Sequence, residues 1–252
     1  MAVIKPHQPR TYRRIQTPAG LNAFRVTVQE TDLWISTDTP LPEIAKEQVL
    51  TARGQIESYI EQFPEFAATL TPWPRSDVLP PVVRRMVQAS RQVGVGPMAA
   101  VAGTVAEAVG ERLLQHSTQV IVENGGDIFL RTRRPVTIAV MAGRSPLSMQ
   151  LGVRITPEQM PCGICTSSGS VGHSFSLGSA DAVCVLSASC PLADAAATWI
   201  GNHIQQAGDL DKAVALAQHI KGIEGVIAIR GRKIALWGAL TVVKIAKKEV
   251  EF

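Results

Sequence analysis

Charge is scarce in this chain and cysteine scarcer: charged residues make up 18% of 252 residues, and there are four cysteines. Hydrophobic residues reach 46%, enough for a sizeable core, which excludes a disordered chain, a collagen-like chain and a disulfide-built miniprotein. The basic excess is small, 25 Lys+Arg against 21 Asp+Glu, and dispersed, so no nucleic-acid-binding tail is expected. The opening MAVIKPHQPRTYRR lacks the apolar run of a secretory signal. With so few cysteines, that points to a reducing cytoplasm. No run is long and apolar enough for a membrane span. The low-charge stretch Val93 to Val109 is dense in Gly and Ala, carries Pro97 and Glu107, and reads as a core helix. Repeats and low-complexity tracts are also missing.

What is present alternates between strand-like and helix-like segments. Residues 10–38 read as an opening β meander, with turns at Pro18-Ala19-Gly20 and Glu30-Thr31-Asp32. Residues 41–62 place Ile44, Val49, Ile56 and Ile60 near one helical face, and Pro64 closes the segment. A loop over 64–79 leads to a second helix from Pro81 to about Gln92. A long helix of small residues then starts at Pro97, where a missing N–H costs nothing, and runs to about Gln115. Such a slim helix can pack close to a neighbour. A hairpin centred on Asn124-Gly125-Gly126-Asp127 follows, then four strand candidates, helices over 189–204 and 209–220, and a closing meander. The expected class is α+β, a largely antiparallel sheet with packed helices. The length fits one large domain or an unequal pair. We read a single domain over 1–252, with an N-terminal part to residue 93, a motif-bearing core over 94–204 and a closing part over 205–252.

Several motifs bear on chemistry. Gly94-Val95-Gly96-Pro97-Met98-Ala99 matches a dinucleotide fingerprint on paper, but a helix-like segment precedes it where that motif needs a strand. Cys162-Gly163-Ile164-Cys165 is a lone C-x-x-C. On an extended strand, side chains three apart point to opposite faces, so neither a redox pair nor a zinc site is expected, and buried small residues are the better account. Thr166-Ser167-Ser168-Gly169, continuing to His173, packs hydroxyls and glycines into what reads as a loop. It suits phosphate oxygens, or equally a polar turn bonded to itself. Asn124, Gly125, Gly126 and Asp127 form a turn that needs positive φ, and the two glycines would also let a ligand lie on the backbone. Ser189-Cys190-Pro191 reads as a helix start. Beyond it Asp194 and Thr198 share a face, offering two hard oxygens to magnesium, or an acid steadied by a helix dipole.

The order of these motifs resembles the ApbE-like superfamily, whose known members are bacterial FAD:protein FMN transferases. The resemblance covers about residues 94–204. Its specific parts are Gly125-Gly126-Asp127, Ser168-Gly169 and Ala193-Asp194 through Thr198. A compact, uncharacterised branch with Gly-Pro-Met-Ala and Cys-Thr-Ser-Ser-Gly segments looks most similar. The resemblance implies a T-fold-like architecture, a site for FAD or FMN, and Mg held by Asp194 and Thr198. Asn124, Gly125, Gly126, Asp127, Thr166, Ser167, Ser168 and Gly169 would bind the flavin nucleotide, with His173 and Asp194 catalytic. An acceptor protein is implied as partner, and a homodimer by analogy with T-fold assemblies. Two departures stand out. The transferases carry a lysine where this chain has Val101 to Glu107, and their His-x-x-Asp-Pro run is replaced by His173-Ser174-Phe175-Ser176-Leu177. These favour an alternative, a non-catalytic flavin- or pterin-binding protein.

Overall fold

The computed structural model describes residues 20–75, 78–169 and 178–245. The strand expected over Arg10 to Gln16 and the Ser170–His173 part of the hydroxyl-rich segment lie outside those residues.

Strands β1 (Asn22–Val28) and β2 (Thr31–Thr37) form the first hairpin. Val28 pairs with Thr31, so Thr31 and Asp32 belong to β2 and the turn is Gln29-Glu30, not the expected Glu30 to Asp32. Helix α1 (Pro42–Gln62) buries Ala45, Val49, Ala52, Ile56 and Tyr59, a stripe at helical spacing. The segment after it is not all loop. Helix α2 (Glu65–Ala68) tucks Phe66 against Tyr59 and Trp73, and the Trp73 indole donates to the Tyr59 hydroxyl at 2.9 Å. Helix α3 (Pro81–Val93) follows. The expected single helix from Pro97 is two pieces, a 3₁₀ turn over Pro97–Ala100 and helix α4 (Val101–Leu113). Among the described residues no single helix is long and apolar enough to cross a membrane. Residues 81–113 would pass only as a pair bent by 106°.

The next hairpin joins β3 (Val120–Asn124) to β4 (Asp127–Arg131) through Gly125 and Gly126, at φ 73° and 126°, a turn that only residues without a Cβ adopt freely. Strands β5 (Val136–Ala139), β6 (Leu151–Ile155), β7 (Cys162–Ser167) and β8 (Ala182–Ser187) precede helices α5 (Cys190–Asn202) and α6 (Leu210–Ala217). Three strands close the chain: β9 (Ile223–Arg230), β10 (Lys233–Gly238) and β11 (Thr241–Lys244). Eight strands form one antiparallel sheet in the order β1-β2-β3-β4-β7-β8-β9-β10. The closing meander does not stay in it: past Gly238, β11 joins β6 and β5 in a separate three-stranded sheet.

Period-two burial on the large sheet creates two cores. Val120, Val122, Phe129 and Cys165 face the helices, while Ile121, Ile128, Leu130 and Ile164 face the small sheet. The slim helix packs as its composition suggests. A Cβ on Gly103 of α4 would sit 2.6 Å from the Cys190 carbonyl oxygen and 2.9 Å from the Asp194 Cβ, and one on Gly163 would collide with the Cys190 backbone. Helix α5 is thereby wedged between α4 and β7.

At the far end of β2, Asp38 fastens the strand to the α4–β3 connection. Its carboxylate accepts from the Ser117 and Thr118 hydroxyls (3.1 and 2.7 Å), the Thr118 and Gln119 backbone N–H (2.8 and 3.1 Å) and the Gln119 amide (2.8 Å). These donors hold its pKa well below the usual carboxylate range, the Thr118 hydroxyl first.

Candidate functional site

The N-terminal turns of α4 and α5 meet above β4 and β7, and each supplies the carboxylate the other lacks. The Gly103 N–H donates to Asp194 Oδ2 at 2.8 Å, and the Cys190 N–H donates to Glu107 Oε2 at 2.8 Å. Both donors belong to first turns, whose N–H groups have no partner within their own helix. Ser189 caps α5 conventionally, accepting from the Leu192 N–H at 3.5 Å, with Pro191 in the first turn. Asp194 therefore serves the start of a neighbouring helix and not that of its own. Glu107 also reaches Arg85 of α3 at 3.2 Å. Burial raises its pKa, against the pull of the Cys190 N–H and Arg85.

Two acids share this place. Asp127 pairs in register with Cys165 and so points toward the helices; Asp194 comes down from α5. Each keeps a strip of surface open while most of the side chain is enclosed by protein. Loss of hydration pushes Asp127 up to about 7, partly opposed by a bond from the Cys165 thiol. It also pushes Asp194 well above the usual range, with the Asp127 charge adding to the effect and the Gly103 and Ala102 N–H groups opposing it. Two carboxylates that both resist ionisation want a proton or a cation between them.

The expected site residues fall into groups. Asn124 closes on α4, its amide donating to the Ala102 carbonyl at 3.1 Å, and Gly126 accepts from the Thr166 N–H at 3.1 Å, which sets the double-glycine turn beside β7. Thr166 and Ser167 are strand residues and not loop, so they point to opposite faces. The Thr166 hydroxyl bonds the Cys184 thiol on the small-sheet side, which leaves Thr166 only its backbone on the side of the acid pair. Ser167 points to the helix side, and its hydroxyl is buried with no hydrogen-bond partner among the described residues. Ser168 is nearly buried, and Gly169 follows at the strand's end, donating to the Ala180 carbonyl at 3.0 Å.

Thr198 is placed by how α5 lies. The helix runs along β7 from the Gly163–Cys190 contact to the strand's end, where Gly178 packs on both Gly169 and Gly201. Four helical residues advance about 6 Å and two strand residues about 6.6 Å. Asp194 thus stands at the level of Cys165 and Asp127, and Thr198, buried one turn on, at the level of Ser167. His173 lies outside the described residues.

The C-x-x-C thiols diverge as strand geometry requires: Cys162 enters the core between the sheets and Cys165 the core beneath the helices. Cys165 meets a different cysteine, Cys190, with the sulfurs 3.5 Å apart. Neither this pair nor the role of Glu107 was anticipated. The one available signal was Glu107 itself, the single charged residue between Val93 and Val109. Among the described residues no three His, Cys, Asp or Glu side chains converge as a complete metal cage. A groove between α1 and Arg75, Val78 and Pro80 shares no residue with the acid pair's surroundings and contains no acid. The acid pair is the better candidate site because charged and polar groups converge there.

An α+β protein with a helix-capped acid pair beside a Gly-Gly-Asp turn is the class this geometry defines. A family model described as "AbpE bacteria" matches residues 14–221. The chain belongs to that family, within the ApbE-like superfamily. Two relatives, each named UPF0280 protein, are archaeal. The one from Methanosarcina acetivorans is 40% identical over 226 residues, 88% of each chain. That from Methanocella arvoryzae is 37% identical over 241 residues, 94% of this chain and 97% of its own. Among solved structures, the apo flavinyl transferase ApbE of Pseudomonas stutzeri superposes with a TM-score of 0.52 at 15% identity, over 86% of this chain and 94% of that one. The flavin transferase ApbE of Vibrio cholerae gives 0.51 at 16%, over 87% and 97%. At such identities the likeness establishes a shared fold.

Proposed function

We propose that the surface around the acid pair binds a flavin nucleotide through a divalent cation and that the chain is a magnesium-dependent enzyme of the flavin transferase type, acting on FAD. The observation that carries this reading is the acid pair, Asp127 and Asp194, both pushed toward protonation at the start of α4 and beside the Gly125-Gly126 turn. A hard cation removes that cost, and the donors are oxygens suited to magnesium, which takes one or two carboxylates and keeps other positions for water and phosphate. Asp194 and Asp127 would hold the ion with the Thr198 hydroxyl. When bound, it would neutralise charge on a pyrophosphate being split.

The residues of the chain do the rest. The glycine turn leaves room for a ligand against the backbone. Asn124 fixes that turn to α4, and the buried Ser167 hydroxyl offers a hydrogen bond it does not make among the described residues. Glu107 steadies the first turn of α5 and so the height of Asp194. His173 is assigned a catalytic role by the family resemblance. The substrate then includes an acceptor protein, and the setting is cytoplasmic.

Incubation with FAD, magnesium and candidate acceptors tests the reading. The expected products are AMP and protein-bound FMN, and Asp194→Ala abolishes both. FAD recovered intact after long incubation would overturn it. The departures at Val101 to Glu107 and after His173 favour a second reading, a flavin- or pterin-binding protein without transfer chemistry. A yellow preparation that releases its flavin unaltered on denaturation would identify that case.

A further inference from the structure

We propose that Cys165 and Cys190 form an oxidisable dithiol, a disulfide site that joins the central sheet to helix α5 directly behind the acid pair. The sulfurs already touch at 3.5 Å, and the Cys165 thiol also lies 3.4 Å from the Cys190 carbonyl oxygen, so both side chains are aimed at the same point. Their positions are fixed by backbone: Cys165 sits mid-strand between β4 and β8, and Cys190 opens α5 against Gly163. Closing to a disulfide length of about 2.05 Å needs an approach of about 1.5 Å, shared between two side chains. All four cysteines are free thiols and buried, and the other two, Cys162 and Cys184, belong to the opposite core.

The step balances with hydrogen peroxide as oxidant. One thiolate attacks the peroxide oxygen, giving a sulfenic acid and water; the second sulfur displaces the hydroxyl as a second water. Two S–H bonds and one O–O bond are lost, one S–S bond and two O–H bonds form, and the peroxide gains the two electrons. Burial raises the pKa of both thiols, so closure is slow and favours a small oxidant over a bulky alkylating reagent.

The bridge has a consequence one turn away. Cys190 and Asp194 are four residues apart on α5 and share a face. Gly103 rests on both, so the first turn of α5 cannot shift toward β7 without disturbing the Gly103–Asp194 bond. Oxidation is therefore expected to change how Asp194 meets a cation, a consequence that rests on the proposed magnesium site.

Peroxide treatment of the native full chain, followed by intact mass and peptide mapping, tests the bridge itself. The expected result is a loss of two hydrogens with the Cys165 and Cys190 peptides linked. The loss disappears in Cys165→Ser and Cys190→Ser and persists in Cys162→Ser. Mass gain by oxygen, an unchanged mass, or a link to Cys162 or Cys184 in the wild type overturns the proposal, whether or not the serine variants fold. The magnesium-induced rise in melting temperature is then compared between oxidised and reduced protein. It is expected to fall at least twofold on oxidation; equal rises would overturn the coupling to the site. If reduced protein shows no magnesium response, the magnesium reading fails while the mass result still decides the bridge.

Discussion

Two carboxylate sites in this molecule are opposites. Asp38 is surrounded by donors from three consecutive residues and is held ionised. Asp127 and Asp194 sit close enough to feel each other, with few donors between them, and are held toward the protonated form. A fully satisfied acid fastens structure. A pair left short of positive charge stores a cost that only a proton or a cation relieves, and such groups cluster at functional sites.

The comparison can be broken most severely at Asp38. Asp38→Ala leaves several donors at the α4–β3 connection unpaired and is expected to cost about 3 kcal/mol in a urea melt, while leaving any magnesium-induced thermal shift intact. Equal loss of that shift would show that the two regions are not separate.

pH should then pull the two sites in opposite directions. Asp38 has a depressed pKa, so its contribution is present above the unfolded value near 4 and is lost as pH falls through the folded one. Asp127 and Asp194 are raised, so the native state holds extra protons above pH 4. Their contribution is complete below that point and is lost as pH rises toward about 7 for Asp127. Metal-free protein is expected to lose on the order of 2 kcal/mol of stability between pH 5 and 8, and magnesium to restore most of it. Stability that rises over this range without metal would contradict the assignment.

The smallest effect sharpens the contrast. Asp127→Asn removes one charge from the pair and is expected to stabilise metal-free protein by about 1 kcal/mol at pH 8, with no gain at pH 5. The same change should weaken the magnesium shift, so stability and cation response move in opposite directions. A loss of stability at pH 8 would mean that Asp127 is needed for its hydrogen bonds and not as a charge.

Much of this was legible in the sequence because local rules suffice for it. The double glycine at 125–126 specifies a hairpin; Pro81 and Pro191 mark helix starts; apolar runs mark β3 and β4. The chain's motif order pointed to the superfamily, and Asp194 and Asp127 do lie near each other. What stayed hidden depends on contacts across the chain. Thr166 and Ser167 read as loop because their composition is polar, yet sheet pairing with β8 draws them into strand and splits them between two faces. Strand β11 looked like part of the closing meander, but its partner is β6, and such pairings follow from tertiary packing. Cys165 was weighed against Cys162, its neighbour in sequence, while its neighbour in space is 25 residues away.

The exchange of carboxylates between α4 and α5 spans 83 and 91 residues of chain. Neither exchanged bond can form until the six intervening strands have been made. During synthesis α4 thus leaves the ribosome with its first turn frayed, and that turn gains its cap only when residue 194 arrives. Shape and binding competence should consequently appear together and late, as one cooperative event near the end of translation.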